Sequence, residues 1–201
     1  MPTTNPSRPT EIPTIDVVMV EVETSGGTHF ALDTASKIGV EPQIEEEAAV
    51  KLIVKGKLKA QKPSVATITG NKITLTDNLF IPELVKVLQG GTIKWWTTSE
   101  KTAEGTTPTE YGISSYTPPT AGSGDKGEVF TLHAYSAQYD TSGQIVQYEK
   151  ITYPNCQGVP IAFNSEDGAF RAPEYTINSA PKSNESPYEI HYVAALPQFA
   201  T

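Results

Sequence analysis

Three histidines, one cysteine and one glycine-rich hexapeptide are the residues of this 201-residue chain from which chemistry could be built. His29, His133 and His191 lie far apart in sequence, and no pair of them has metal-ligand spacing beside a carboxylate or cysteine. They read as half-buried strand or loop histidines. Cys156, in Pro-Asn-Cys-Gln-Gly, has neither a basic neighbour nor a helix N-terminus to lower its pKa, so it reads as a structural thiol. Being single, it forms no internal disulfide, which fits a reducing compartment. Gly122-Ser123-Gly124-Asp125-Lys126-Gly127 formally matches G-x-G-x-x-G. A dinucleotide site needs a strand before those glycines and a helix N-terminus after them. Here Pro118-Pro119-Thr120-Ala121 precede and the strand-like Glu128 to Leu132 follow, so a flexible loop is expected. Glu166-Asp167-Gly168 is turn composition with no third group to make an acid/base pair, and Asn184-Glu185-Ser186 is a formal glycosylation sequon without a secretory signal. The residues imply no catalytic group, no cofactor, no metal and no enzyme. An enzyme assembled from distant residues would need a pocket holding one of the histidines beside a carboxylate.

The elements that could position any site are mostly strands. Ile81, Leu84, Val85 and Leu88 recur at i, i+3, i+4 and i+7, which predicts a helix over about 82–89. Pro82 lies in its first turn, Gly90-Gly91 end it, and Asp77 and Asn78 are available as caps. Upstream, Gly70-Asn71 reads as a two-residue hairpin turn between Val65 to Thr69 and Lys72 to Thr76. Ile15 to Thr24 alternates imperfectly, with Val18, Val20 and Val22 on one side and Met19, Glu21 and Glu23 on the other. Val50 to Ala60 reads as one strand, with Val50, Leu52, Val54, Leu58 and Ala60 opposite Lys51, Lys55, Lys57 and Lys59, and only Ile53 among the lysines. Further strands are expected at Glu128 to Tyr135, Gln144 to Tyr153 after a Thr141-Ser142-Gly143 turn, Val159 to Phe163, Glu174 to Asn178 and Tyr188 to Val193. The expected fold is mainly β, a sandwich or barrel capped by one α-helix.

Composition adds limits. The net charge is −8 and only Arg8 and Arg171 among fifteen basic residues are arginine, which argues against a basic nucleic-acid reader. With no apolar run of about eighteen residues, no transmembrane helix is expected. Residues 1–14, with Pro at 2, 6, 9 and 13, read as an extended arm without the apolar core of a signal peptide. Residues 15–201 read as a single domain with two excursions. One is a long connection over 25–49 that ends in Glu45-Glu46-Glu47. The other is a surface loop over 97–127, in which twenty of thirty-one residues are Gly, Pro, Ser or Thr, leaving little apolar surface to offset the entropy of ordering.

The stretch DNLFIPELVKVLQGG after its strand region, the stretches YPNCQGVPIAFNSEDGAF and PEYTINSAPKSNESPYEIHYV near the C-terminus, and FALDTASKIGVEPQIEEEAAVKLIVKGKLKAQKP together resemble the major tail tube proteins of phages that infect Gram-positive hosts. The resemblance covers most of the chain outside the first residues and the middle loop. It implies a sandwich-like tail tube fold that closes into hexameric rings, which stack into a hollow conduit for DNA. The implied partners are the chain itself, tail terminator, tape measure and baseplate or initiator proteins, and double-stranded DNA that passes without specific binding. The implied location is the virion tail, after synthesis in the host cytoplasm, with no membrane insertion of the subunit.

Two surfaces are expected on this reading. Leu32, Ile38, Val40 and Ile44, with Glu45, Glu46 and Glu47 against a basic surface, would stack ring on ring; the lysine face of Val50 to Ala60 is a candidate counterpart. Glu21, Glu23, Gln147, Glu149, Glu189 and His191 are candidates to face the lumen, where acidity would repel passing phosphate. The alternative is a carbohydrate- or receptor-binding β module of a virion, with Trp95-Trp96, Tyr111 and Tyr116 as a stacking platform.

Overall fold

A computed structural model describes residues 13–97, 112–162, 167–168 and 172–199. One antiparallel sheet of eight strands dominates it, in the order β2 (His29–Leu32), β1 (Thr14–Thr24), β9 (Phe130–Tyr139), β10 (Ile145–Gly158), β11 (Glu174–Ser179), β6 (Val65–Asp77) and β3 (Ala35–Glu47). The eighth, β12 (Glu189–Val193), lies beside the first half of β10 through pairs such as Ile151 with Ile190, while β11 takes the second half. The two outermost strands, β2 and β3, are joined by Asp33 and Thr34 alone, so the sheet curls and brings β3 beside β1. Among the described residues no ladder joins β2 to β3. The sheet is therefore an open, curled one, not the closed barrel that was one expectation. A mainly β fold with one short helix holds.

Curling encloses a core whose residues follow from strand alternation. Val20 and Val22 of β1, Ile73 and Leu75 of β6, Leu132 of β9, Tyr153 of β10, and Tyr175 and Ile177 of β11 all point inward and are buried. The open side is covered by α1 (Pro82–Gln89), which buries Leu84, Val85, Val87 and Leu88. Helix position and ends match the periodicity, and Gly90 and Gly91 both have positive φ. The cap differs: Ile81 occupies the N-cap with no side-chain hydrogen bond. Asp77 instead accepts hydrogen bonds from the Thr34 hydroxyl (2.5 Å) and the Leu79 amide (3.3 Å), tying the β2–β3 corner to the end of β6.

Gly158 and Gly127 let the helix sit this close. A Cβ on Gly158 would lie 2.5 Å from Leu88 Cβ, and one on Gly127 would lie 2.2 Å from the Leu88 carbonyl oxygen. The last glycine of the G-x-G-x-x-G segment therefore serves packing against α1.

Three strand expectations are corrected. Gly70-Asn71 is no hairpin turn, because β6 runs straight through it; glycine is needed there since a Cβ would meet the Ser179 carbonyl oxygen at 2.3 Å, and Asn71 donates its side-chain amide to the Pro187 carbonyl. Val50 to Ala60 is not one strand but a hairpin, β4 (Val50–Val54) and β5 (Lys57–Lys62), turning at Lys55 and Gly56, both with positive φ. Val159 to Ala162 forms no strand. The Val159 amide reaches Thr176, and the Ile161 amide donates to the Gln89 side chain; Phe163 lies outside the described residues.

The connection 25–49 contains β2 and the thirteen-residue β3. Within 97–127, β8 (Ile113–Thr117) pairs with β7 (Thr92–Trp95), and residues 98–111 lie outside the described residues. So do residues 1–12 of the expected N-terminal arm.

Candidate assembly surfaces

β3 and β6 pair from Ala35 with Asp77 out to Glu47 with Val65, and the chain then continues into the β4–β5 hairpin. The result is a two-stranded arm. From Gln43 to the turn at Lys55 the arm has a contour length of about 40 Å at the usual rise per strand residue. Ile44, Val50, Leu52, Ile53, Val54, Leu58, Val65 and Ile68 are all exposed along it, with Val50 at 63% and Ile53 at 61%. A bulge between Leu52 and Ile53 sets Ile53 opposite Leu58, whereas Leu52 pairs with Ala60. Apolar side chains therefore occur on both faces: Leu58, expected on the side of Leu52, joins Ile53 on the other. An isolated two-stranded ribbon of this kind is marginal in water and leaves apolar surface uncovered.

The residues expected to stack rings divide accordingly. Leu32, at the end of β2, is 1% exposed in the core, and Ile38 and Val40 pack against the core and hold the base of β3 to the domain. Ile44, Glu45, Glu46 and Glu47 are exposed on the arm.

The sheet face turned away from the core carries a polar network. Glu21 of β1 is 5% exposed: one carboxylate oxygen meets His29 Nδ1 at 2.8 Å, and the other accepts the Tyr135 hydroxyl at 2.8 Å. Beside it, His133 of β9 meets Thr152 Oγ1 at 3.0 Å and Glu23 Oε2 at 3.2 Å. Lys150 of β10 lies over the Tyr135 ring, 5.6 Å from its centre. Burial alone would raise the Glu21 carboxyl, but the hydrogen bonds from His29 and Tyr135 outweigh it and hold the pKa below its ordinary value. For His133, burial wins: desolvation and then Lys150 lower the pKa against the pull of Glu23.

Both shifts have the same consequence. A histidine whose folded pKa is depressed takes up a proton on unfolding, so stability falls as pH drops below its unfolded value near 6.5. Glu21 adds its loss only at lower pH, as the carboxylate protonates through its depressed folded value. The melting temperature is therefore expected to decline from pH 7.5 to 5.5. His133→Gln, which keeps hydrogen-bonding capacity without titrating, should flatten that decline. An equal slope in both proteins would remove His133 as its source.

The six lumen candidates do not share one surface. Register places Glu21, Glu23, Glu189 and His191 on the polar face, with Lys150 paired to His191 and Thr152 to Glu189. Gln147 and Glu149 fall on the opposite face, continuing the row of Ile151 and Tyr153 beyond the core; the Tyr192 hydroxyl reaches Glu149 at 3.5 Å there. Glu21 is spent inside the network. Glu23, Glu189 and His191 keep substantial exposure. Alternation gave the parity of these residues but not what would cover each one.

Among the described residues no group of three or more His, Cys, Asp or Glu could hold a metal. Cys156 is fully buried, with its thiol pushed up to about 12 by burial. Asp167 sits in an exposed turn, and Glu166 lies outside the described residues. No helix among the described residues is long and apolar enough to cross a membrane. Of the aromatic platform, Trp95 is exposed, but Tyr116 uses its hydroxyl to donate to the Gly90 carbonyl and to accept from Gln89; Tyr111 lies outside the described residues.

No protein-family model matches the sequence, and no curated protein matches it. Among solved structures, the fold overlaps a chain of the anti-feeding prophage baseplate, 6-fold symmetrised, at 7% identity over 90% of this chain and 97% of that one, with a TM-score of 0.37. It also overlaps a chain of the PVC sheath–tube complex in the extended state, an extracellular contractile injection system, at 11% identity over 92% and 93% of the two chains, with a TM-score of 0.33. These are remote similarities, and the grounds for a function must come from the chain's own residues and surfaces.

Proposed function

We propose that the chain is the repeating structural subunit of a phage tail tube, assembling as hexameric rings that stack into a hollow conduit for DNA. The observation that carries self-association is the arm: the domain completes its core without it, yet the arm extends exposed apolar side chains on two faces. Such surface is stabilised by a partner of matching shape, and a subunit that repeats provides one. The sequence resemblance supplies the tube. An edge strand such as β12, with an unpaired side among the described residues, is suited to join a neighbouring sheet when ring symmetry closes. Terminator, tape measure and baseplate or initiator proteins are the further partners of this reading, and the virion tail is its location.

In such a tube the polar face, away from core and helix, is the one suited to line a water-filled channel. Glu23, Glu189 and His191 then approach the passing DNA, and Gln147 and Glu149 do not. Glu189→Lys should permit assembly while making the channel retain DNA, with ejection slowed at low ionic strength and recovering as salt rises. Glu149→Lys should leave ejection unchanged. The reverse pattern in particles carrying each variant would assign the lumen to the other face. Tube formation itself is tested by electron microscopy of the purified chain.

One observation favours the carbohydrate-binding alternative. Trp95, Phe30 and Ile93 line a groove of about 300 Å³ rimmed by Glu83, Lys86 and Glu128. Glycan-dependent quenching of tryptophan fluorescence, lost in Trp95→Ala, with a monomer at all concentrations, would support it.

A further inference from the structure

Charge is segregated along the arm. Glu45, Glu46 and Glu47 lie on β3 opposite the uncharged Thr67, Ala66 and Val65, whereas Lys51, Lys55, Lys57, Lys59 and Lys62 lie on the distal hairpin; nearer the domain Glu41 is paired with Lys72. Acid and base already meet where the halves adjoin, through Lys62 Nζ and Glu47 Oε1 at 2.5 Å. Lys51, Lys57 and Lys59 have no ion-pair partner among the described residues, and the same is true of Glu45 and Glu46. An open hollow of about 500 Å³ is lined by Glu45–Ala48 together with Val65 and Thr67, which pair across the ladder with Glu47 and Glu45.

We infer that the distal, lysine-bearing hairpin of one copy docks along the proximal, acidic half of the arm of a second copy, head to tail. Three observations fix the occupant as another copy of this chain. The two halves carry opposite charge, Lys51, Lys57, Lys59, Glu45 and Glu46 have no ion-pair partner among the described residues, and both halves present exposed apolar side chains that a polar ligand would leave uncovered. The two-faced hairpin fixes the geometry. A two-fold antiparallel pair would cover one face of each arm and stop at a dimer. In a repeating array each arm is flanked by two others, so Leu52 on one face and Ile53 and Leu58 on the other are both covered. The inference deepens the self-association reading above and rests on it.

A charge-swap experiment tests it. One variant reverses the tip with Lys51→Glu, Lys57→Glu and Lys59→Glu; another reverses the base with Glu45→Lys and Glu46→Lys, leaving the Glu47 to Lys62 pair intact. All five positions are exposed, so both variants should keep the wild-type circular dichroism and, at concentrations where wild type is monomeric, its melting temperature. In sedimentation velocity at low salt, each variant alone should associate roughly a hundredfold more weakly than wild type, since like charges then face one another. Mixing the two should restore association to within about tenfold and yield species larger than dimers. Rising ionic strength should weaken wild type and mixture alike. Three results would overturn the inference: single variants that assemble as wild type, a mixture that stays dispersed while wild type assembles, or a rescue that ends at dimers. Electron microscopy of the products separates the two readings. Charge-swapped assemblies that are not hollow tubes would sink the tube and keep the docking, tubes from either variant alone would do the opposite, and wild type that never associates would remove both.

Discussion

Replacing residues 45–67 by a two-residue Asn-Gly turn that joins the paired Ile44 and Ile68 should leave a folded, soluble monomer that no longer assembles. Ile44 faces Ile68 across the ladder, so a two-residue turn closes the shortened hairpin without moving the domain. No residue removed belongs to the buried core. Against wild type at a concentration low enough to be monomeric, the melting temperature should therefore be unchanged or slightly raised, because a shorter excursion costs less closure entropy. Assembly should respond strongly: each large apolar side chain that a neighbour fully covers is worth about 1.5–3 kcal/mol, so losing even one is more than tenfold in association. Sedimentation velocity across a concentration series reads this directly. A trimmed chain that associates like wild type would show that the arm is no assembly element.

Gly158→Ala should cost a large share of this domain's stability by lifting α1 off β10. The added carbon would lie 2.5 Å from both Leu88 Cβ and the Leu88 carbonyl oxygen, and 2.6 Å from Leu88 Cα. All three belong to the backbone or its first side-chain atom, so no rotamer change relieves the clash and α1 must lift from β10. Overpacking of this kind costs about 3 kcal/mol at the upper end of its usual range. At roughly 2–4 °C per kcal/mol for a domain of this size, the melting temperature should fall by about 6–12 °C. The trimmed monomer is the cleaner background, since assembly there does not add to apparent stability. A change below about 1 °C in thermal unfolding would mean that the helix is not seated as described.

What the sequence made legible divides along physical lines. The helix announced itself because Leu84, Val85 and Leu88 follow a 3.6-residue period that no strand satisfies, with two glycines at its end. The Thr141-Ser142-Gly143 turn was equally plain, and the Asp140 carboxylate closes it by accepting from the Ser142 and Gln144 amides. Gly70 misled because composition cannot separate a glycine needed for a turn from one needed for a close pass, here against the Ser179 carbonyl. Gly56 was the overlooked signal of the arm's tip: it sits among lysines with no other turn residue, so the run read as one strand.

The surfaces were legible in part. Glu45 to Glu47 and the lysines stood out as charge runs, and both remain exposed. Leu32 and Glu21 did not reveal their burial, since strand parity assigns a side but not a cover. Leu32 is closed over by the core, while His29 and Tyr135 enclose Glu21.

Electron microscopy of the purified, full-length chain over a concentration series, with and without a tail-assembly initiator, tests the central claim most directly. The account predicts rings at intermediate concentration and hollow tubes of stacked six-fold rings at high concentration or with the initiator, with density for the arm bridging neighbouring subunits. Compact monomers at every concentration, initiator included, would contradict it.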